Sequence, residues 1–130
     1  MEQEGVVSIW MGNTKSQEDL NSYVYLIYND EGEWVPSQFL SDFNIDMDDI
    51  DEHFIEKVHF NSHNDKIDEL LNGCSYFEKV IPNICEKIGE KIDEKVNTVI
   101  LVYNYNYSEE ILNASKEEYN MKYYGSVDYM

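Results

Sequence analysis

The sequence predicts an α+β fold: a single small sheet of about four strands, largely antiparallel, with helices packed on one face. Three observations lead there. Two segments, Val6–Gly12 and Thr98–Tyr103, are apolar on both faces, as strands in the middle of a sheet are. The last segment alternates, with Tyr119, Met121, Tyr123, Gly125, Val127 and Tyr129 on one face and Asn120, Lys122, Ser126 and Asp128 mainly on the other. The stretches between them carry the period of amphipathic helices.

In chain order, Val7, Ile9 and Met11 alternate with Val6, Ser8 and Trp10, and Gly12-Asn13 supplies a turn. A helix starts after Ser16, with Asp19 three residues on in a near capping box. Leu20, Tyr23, Val24 and Ile27 share its inner face, and Asn29-Asp30-Glu31-Gly32 ends it. Trp34-Val35 is extended, because the residue before Pro36 avoids helical angles. A short helix over Ser37–Phe43 turns Phe39, Leu40 and Phe43 inward, and Asp46–Glu52 is an acidic loop. Phe54–Phe60 fits a strand or a helix, with strand preferred. A short helix over Lys66–Leu71 stops at Asn72-Gly73. Ser75 and Glu78 form a full capping box for a helix whose stripe runs through Phe77, Val80/Ile81, Ile84/Cys85, Ile88 and Ile92. Pro82 would cost about 3 kcal/mol inside it, so the helix is expected to kink or restart there. Lys87/Glu90 and Lys91/Glu94 are spaced to pair on its outer side.

No repeat, low-complexity tract or Pro/Gly-rich linker divides the chain, which reads as one domain over residues 1–130. Hydrophobic residues make up 42% of it, too many for a disordered chain. No apolar run approaches the roughly 20 residues that span a bilayer. Met1-Glu2-Gln3-Glu4 is acidic where a signal peptide is basic, so a cytoplasmic location is expected. Twenty-seven acids face nine bases, all Lys, for a formal charge of −18. Such a chain repels nucleic acid and anionic membranes and attracts basic proteins.

Catalytic and metal signatures are weak. His59 and His63 are four apart, as helical metal ligands are, with His53 nearby, but there is no HExxH motif. Counted as an EF-hand from Asp46, the acidic run puts Ile50 fifth, Asp51 sixth and Lys57 twelfth, and fails. No metal or cofactor is therefore expected. Cys74 and Cys85 lack CxxC spacing and read as buried, reduced thiols. A Cys74–His pair, with the thiol acidified at a helix start, is a minor alternative. There is no GxSxG elbow and no Gly-rich phosphate loop. Tyr103, Tyr105 and Tyr107 alternate along one strand and its extension, and Tyr123, Tyr124 and Tyr129 lie on the last strand, with Trp10 and Trp34 adding to the set. Most are expected in the core, and any exposed beside carboxylates would be interface anchors.

Val7-Ser8-Ile9-Trp10-Met11-Gly12-Asn13, followed by Ser16-Gln17-Glu18-Asp19-Leu20, resembles the opening of the bacterial immunity protein 22 family. The likeness continues through Gly32–Ser37, Phe39, Asp42-Phe43, Tyr76-Phe77, Ile81-Pro82, Val99–Tyr103 and Tyr124–Val127. The resemblance implies a cytosolic antidote encoded beside a polymorphic toxin, which protects the producing cell by binding the toxin domain. Many such toxins are nucleases with basic clefts that an acidic protein can occupy as a nucleic-acid mimic. The family brings no catalytic residues, and Trp10, Gly12, Trp34, Pro36, Phe43 and Gly125 look structural. The sequence departs from the family mainly over residues 46–65, where variable loops would set toxin specificity.

The expected function is thus binding of a cognate basic toxin domain through an acidic, aromatic surface, with no catalysis, no nucleic acid and no membrane. Asp46, Asp48, Asp49, Asp51, Glu52 and Trp34 are the candidate contacts. The alternatives are a small enzyme with a Cys- or His-based site and a regulatory interaction module without a toxin partner. The oligomeric state is open.

Overall fold

The computed structural model describes residues 2–25, 27–28, 30–116 and 119–130, apart from the side chains of Glu2, Ile27, Tyr28 and Trp34. Its elements in chain order are β1 (Glu2–Thr14), α1 (Gln17–Val24), β2 (Ile27–Tyr28), β3 (Trp34–Val35), α2 (Gln38–Asp42), β4 (Ile55–Lys66), α3 (Ile67–Leu70), α4 (Phe77–Ile88), β5 (Lys91–Tyr105), β6 (Asn113–Lys116) and β7 (Tyr119–Asp128). Two 3-10 turns, Met47–Asp49 and Glu52–Phe54, precede β4. One sheet has the order β4-β5-β1-β7-β6, with every neighbouring pair antiparallel, and β2-β3 form a separate hairpin.

The α+β class and the antiparallel sheet agree with the sequence, but the sheet has five strands where about four were expected. The additional strand is β6, Asn-Ala-Ser-Lys, which borders β7 at one edge. A short polar edge strand has no apolar alternation to announce it. Helices on one face alone is also corrected. Val7, Ile9, Met11, Val99, Leu101 and Tyr103 point into one core with Ile67, Leu70, Leu71, Val80 and Ile84 from α3, α4 and the residue after α3. Trp10, Ile100, Val102, Met121 and Tyr123 point into a second core with Leu20, Tyr23, Val24, Phe39, Leu40 and Phe43 from α1, α2 and its C-cap. Strands apolar on both sides need cover on both, which is why β1 and β5 sit inside a three-layered arrangement.

Ser16 caps α1 as expected, its side chain accepting the Asp19 N–H at 3.0 Å, and Ser37 caps α2 in the same way. α1 ends earlier than predicted, at Val24, and Ile27 enters β2 opposite Val35. Asn29, named in the expected helix end, lies outside the described residues. The Ser75–Glu78 box does not form. The N-cap of α4 is Tyr76, at φ 62°, and the Glu56 carboxylate accepts the Ser75 N–H instead. α4 runs uninterrupted through Pro82, which lies in its exposed second turn, where water reaches the carbonyl left without its usual donor. Gly89 ends α4, so Glu90, Lys91 and Glu94 lie beyond it and the helical ion pairs expected of them do not arise.

Two backbone irregularities redirect side chains that strict alternation would place together. In β7 the pairing passes from Trp10↔Tyr123 to Ile9↔Gly125, leaving Tyr124 as an extra residue. Tyr119, Met121 and Tyr123 therefore pack on the α1/α2 side, whereas Tyr124, Val127 and Tyr129 pack on the α3/α4 side. Gly125 takes φ 148° at this bulge, where a Cβ would meet the Lys87 side chain at 3.3 Å. In β5 Asn104 is left-handed, at φ 60°, so Tyr103 and Tyr105 enter opposite cores. The Asn104 Oδ1 offsets this strain by accepting the Gly5 N–H at 3.1 Å and the Tyr129 hydroxyl at 2.5 Å.

Candidate functional site

The acidic segment between α2 and β4 is pinned to the core by its apolar residues. Ile45 is buried, and Met47, Ile50 and Ile55 pack against the core beside α1 and α2. The intervening acids are thereby turned outward, with Asp46, Asp48 and Asp51 exposed and Asp49 and Glu52 half-buried. What read as a loop is two ordered turns, each closed by its own aspartate. Asp46 Oδ1 accepts the Asp48 N–H at 2.9 Å, and Asp51 Oδ1 accepts the His53 N–H at 2.9 Å. The His53 backbone bond, with its ring bond behind it, holds the Asp51 carboxyl below the usual range. Burial raises the Tyr105 hydroxyl above its ordinary range, and the charges of Asp49 and Asp46 add to that shift. Five predicted contact residues thus lie in two consecutive turns, termed here the acidic ridge. Trp34 is not shown to join them. Its backbone pairs with Tyr28 in the β2–β3 hairpin, and its side chain lies outside what is described.

Most aromatic residues serve the core. Trp10 is fully buried, 5.0 Å from Phe39, 5.1 Å from Tyr123 and 5.3 Å from Tyr107 between ring centres. Tyr25, Phe54, Tyr76 and Phe77 are exposed. Phe54 follows the acidic run just before β4, whereas Tyr25 stands at the end of α1, before β2, β3 and α2. Tyr25 escaped the sequence reading because it was placed inside a longer helix.

The positions named for catalysis are separate. His59 Nδ1 lies 3.0 Å from Thr14 Oγ1, in a chain that continues to Thr98 Oγ1 at 2.7 Å. His53 pairs with Asp51 at the surface, and His63 is exposed. Cys74 lines a cavity of about 190 Å3 together with Glu56 and Gly73, but no histidine lines it. Burial, with the nearby Glu56 charge as a lesser contribution, pushes the Cys74 thiol up to about 11, the opposite of a thiol acidified at a helix start. Both cysteines are free; Cys74 is buried and Cys85 half-buried. Among the described residues no group of three or more His, Cys, Asp or Glu side chains is arranged to hold a metal ion. No described helix is long and apolar enough to cross a membrane.

One polar cluster had no signal in the sequence. The Asp42 side chain, 8% exposed, accepts the Tyr23 hydroxyl at 3.0 Å and the Tyr119 hydroxyl at 2.7 Å on Oδ2. Its Oδ1 accepts the Gln38 amide at 2.7 Å, and Lys116 Nζ lies 3.8 Å from the same oxygen. Burial first, and then Asp42 itself, push both tyrosine hydroxyls above their ordinary range, so they stay protonated and donating. The carboxylate thereby ties α1, α2, β6 and β7 together. It joins residues far apart in the chain, and no local motif marks it.

A family model described as Immunity protein 22 matches residues 7–130. No curated protein and no solved structure matches the chain.

Proposed function

The chain belongs to the immunity protein 22 family, and on that premise we propose that it binds a cognate toxin domain and neutralises it without chemistry of its own. The family match over nearly the whole chain is the observation that carries this reading. The contact we assign is the ridge of Asp46, Asp48, Asp49, Asp51 and Glu52, with Trp34 of the β2–β3 hairpin as an aromatic contribution. A net charge of −18 attracts a basic partner within about the Debye length, about 8 Å at physiological salt, and the ridge orients the encounter. A nuclease suits this surface best, since its substrate cleft is built to hold phosphates. A row of carboxylates held by ordered turns can occupy such a cleft without the entropy cost of first ordering a loop. The protein acts in the cytoplasm, where it meets the toxin made beside it.

The test is co-expression with the adjacent toxin gene, scored by growth and by co-purification. Replacing the four aspartates by asparagine and Glu52 by glutamine keeps the capping acceptors of Asp46 and Asp51 while removing five charges. The association rate is expected to fall about 10-fold at low salt and its salt dependence to become shallower. Full protection by this variant would move the contact elsewhere, and failure of the unaltered protein to rescue growth would defeat the toxin-binding reading itself.

A further inference from the structure

Between the end of α1 and the start of β4 the surface is indented by a cleft of about 230 Å3, lined by Val24, Tyr25, Glu52, His53, Ile55 and Lys57. Its wall is built from three kinds of group. Val24 is buried and Ile55 half-buried, which gives an apolar floor. Tyr25 caps α1, with its N–H donating to the Asn21 carbonyl at 3.0 Å, and its ring stands out from the helix end 52% exposed. Glu52 contributes a carboxylate and also belongs to the acidic ridge. An apolar floor, an aromatic face and a carboxylate together match an alkyl chain that ends in a cation.

A cation of the chain's own already lies against the aromatic face of this cleft. Lys57 Nζ lies 3.9 Å from the centre of the Tyr25 ring. A single exposed tyrosine means little, since scattered apolar groups are normal on surfaces. A concave site that holds an ammonium on an aromatic face, at the end of a ridge of acids, is a more specific arrangement. We infer that this cleft is the anchor pocket of the toxin interface, taking one lysine or arginine side chain of the basic partner in exchange for Lys57. The inference rests on the toxin-binding reading. Arginine suits the exchange better than lysine, because its planar guanidinium stacks on the ring and is less strongly hydrated than the ammonium it displaces. Lys57 covers the Tyr25 ring in the free protein, and it returns to water when the partner's side chain replaces it.

The exchange is tested by binding kinetics with the purified, catalytically inactivated toxin domain encoded beside this chain. Tyr25→Leu keeps apolar bulk but removes the aromatic face, and binding is expected to weaken about tenfold, mainly through faster dissociation. Tyr25→Phe keeps the face and should stay within about twofold of the unaltered protein. Lys57→Gln uncovers the Tyr25 ring and should tighten binding severalfold more than Lys95→Gln, a matched charge change at the exposed start of β5. Thermal melting checks that all four variants fold. Binding by Tyr25→Leu that matches the unaltered protein, or a Lys57→Gln effect no larger than that of Lys95→Gln, would overturn the pocket while leaving toxin binding intact. No binding by the unaltered protein would overturn both.

Discussion

Replacing Gly12 by alanine tests the sheet where two backbones come closest. Gly12 lies inside β1, opposite Thr98 of β5 and Met121 of β7, and not in the turn that its sequence context suggests. A Cβ at this position would be driven into the Asn120 carbonyl oxygen and would lie 2.8 Å from Met121 Cα and 2.9 Å from the Asn120 carbonyl carbon. Non-bonded carbons rest at about 3.5–4.0 Å, so β7 would have to retreat by at least about 0.7 Å at Met121. Every obstacle is a backbone atom, and no rotamer change relieves it. Overpacking of this kind costs about 1–3 kcal/mol. Stretching two buried ladder bonds adds about 1 kcal/mol each, which brings the expected loss to about 4 kcal/mol. At about 4 °C per kcal/mol for a chain of this size, the melting temperature should fall by about 15 °C. Urea unfolding, followed through the fluorescence of buried Trp10 two residues away, gives the free energy directly. Gly73→Ala is the control, because a methyl group on Gly73 would have nothing within 4 Å and should change stability by less than about 1 kcal/mol. A Gly12→Ala midpoint equivalent to less than about 0.5 kcal/mol would refute the close approach of β1 and β7.

Asp42→Asn replaces one acceptor oxygen by a donor that faces either two tyrosine hydroxyls or the Gln38 amide. It should cost about 1–3 kcal/mol in urea unfolding, and an unchanged midpoint would show that Asp42 does not tie the four elements together. Alkaline pH should destabilise the fold. The folded Cys74 thiol is raised from 9.0 to about 11, and burial raises the folded Tyr23, Tyr103 and Tyr105 hydroxyls above 10.0. Groups raised in the folded state contribute stability that is intact below their unfolded pKa and is lost as pH climbs above it. The urea midpoint should therefore hold to about pH 9 and then decline. Ultraviolet titration should show fewer than all 11 tyrosines ionising before the chain unfolds, whereas reversible ionisation of all of them near pH 10 with the fold intact would refute their burial.

The central strands and most of the caps were legible from the sequence, because they depend on local pattern. Val6–Gly12 and Thr98–Tyr103 showed two apolar faces, and Ser16 and Ser37 sit at helix starts with nothing competing for their side chains. The errors arose where a distant partner decides. Ser75 loses its capping role because Glu56 takes its N–H and the Tyr103 hydroxyl takes its carbonyl at 2.6 Å. The tyrosines of β5 and β7 change face at Asn104 and Tyr124, where left-handed backbone and a bulge shift the alternation by one. In the candidate site the acids were visible as a run, but their turns, the exposed Tyr25 and the cleft beside Lys57 exist only once α1 and β4 are side by side. Asp42 is the extreme case, an ordinary helix-end aspartate until Tyr23 and Tyr119 reach it.

The place of β1 in the sheet also governs when the molecule becomes whole. β1 is made before the strands it pairs with, so Gly12 waits for Thr98 and Val6 waits for Asp128. β4 pairs with the next long strand made, β5, and β6 with β7, but β1 is joined only by strands from the far end of the chain. Pairing this non-local is slow to nucleate, and until it happens an apolar strand has no cover on either side. A nascent chain stopped before β5 would expose that strand and would lack Tyr105 and Tyr107 of the core against which Met47 and Ile50 pack. Closure of the sheet around β1 therefore waits for β5 and β7, however early β1 itself is made.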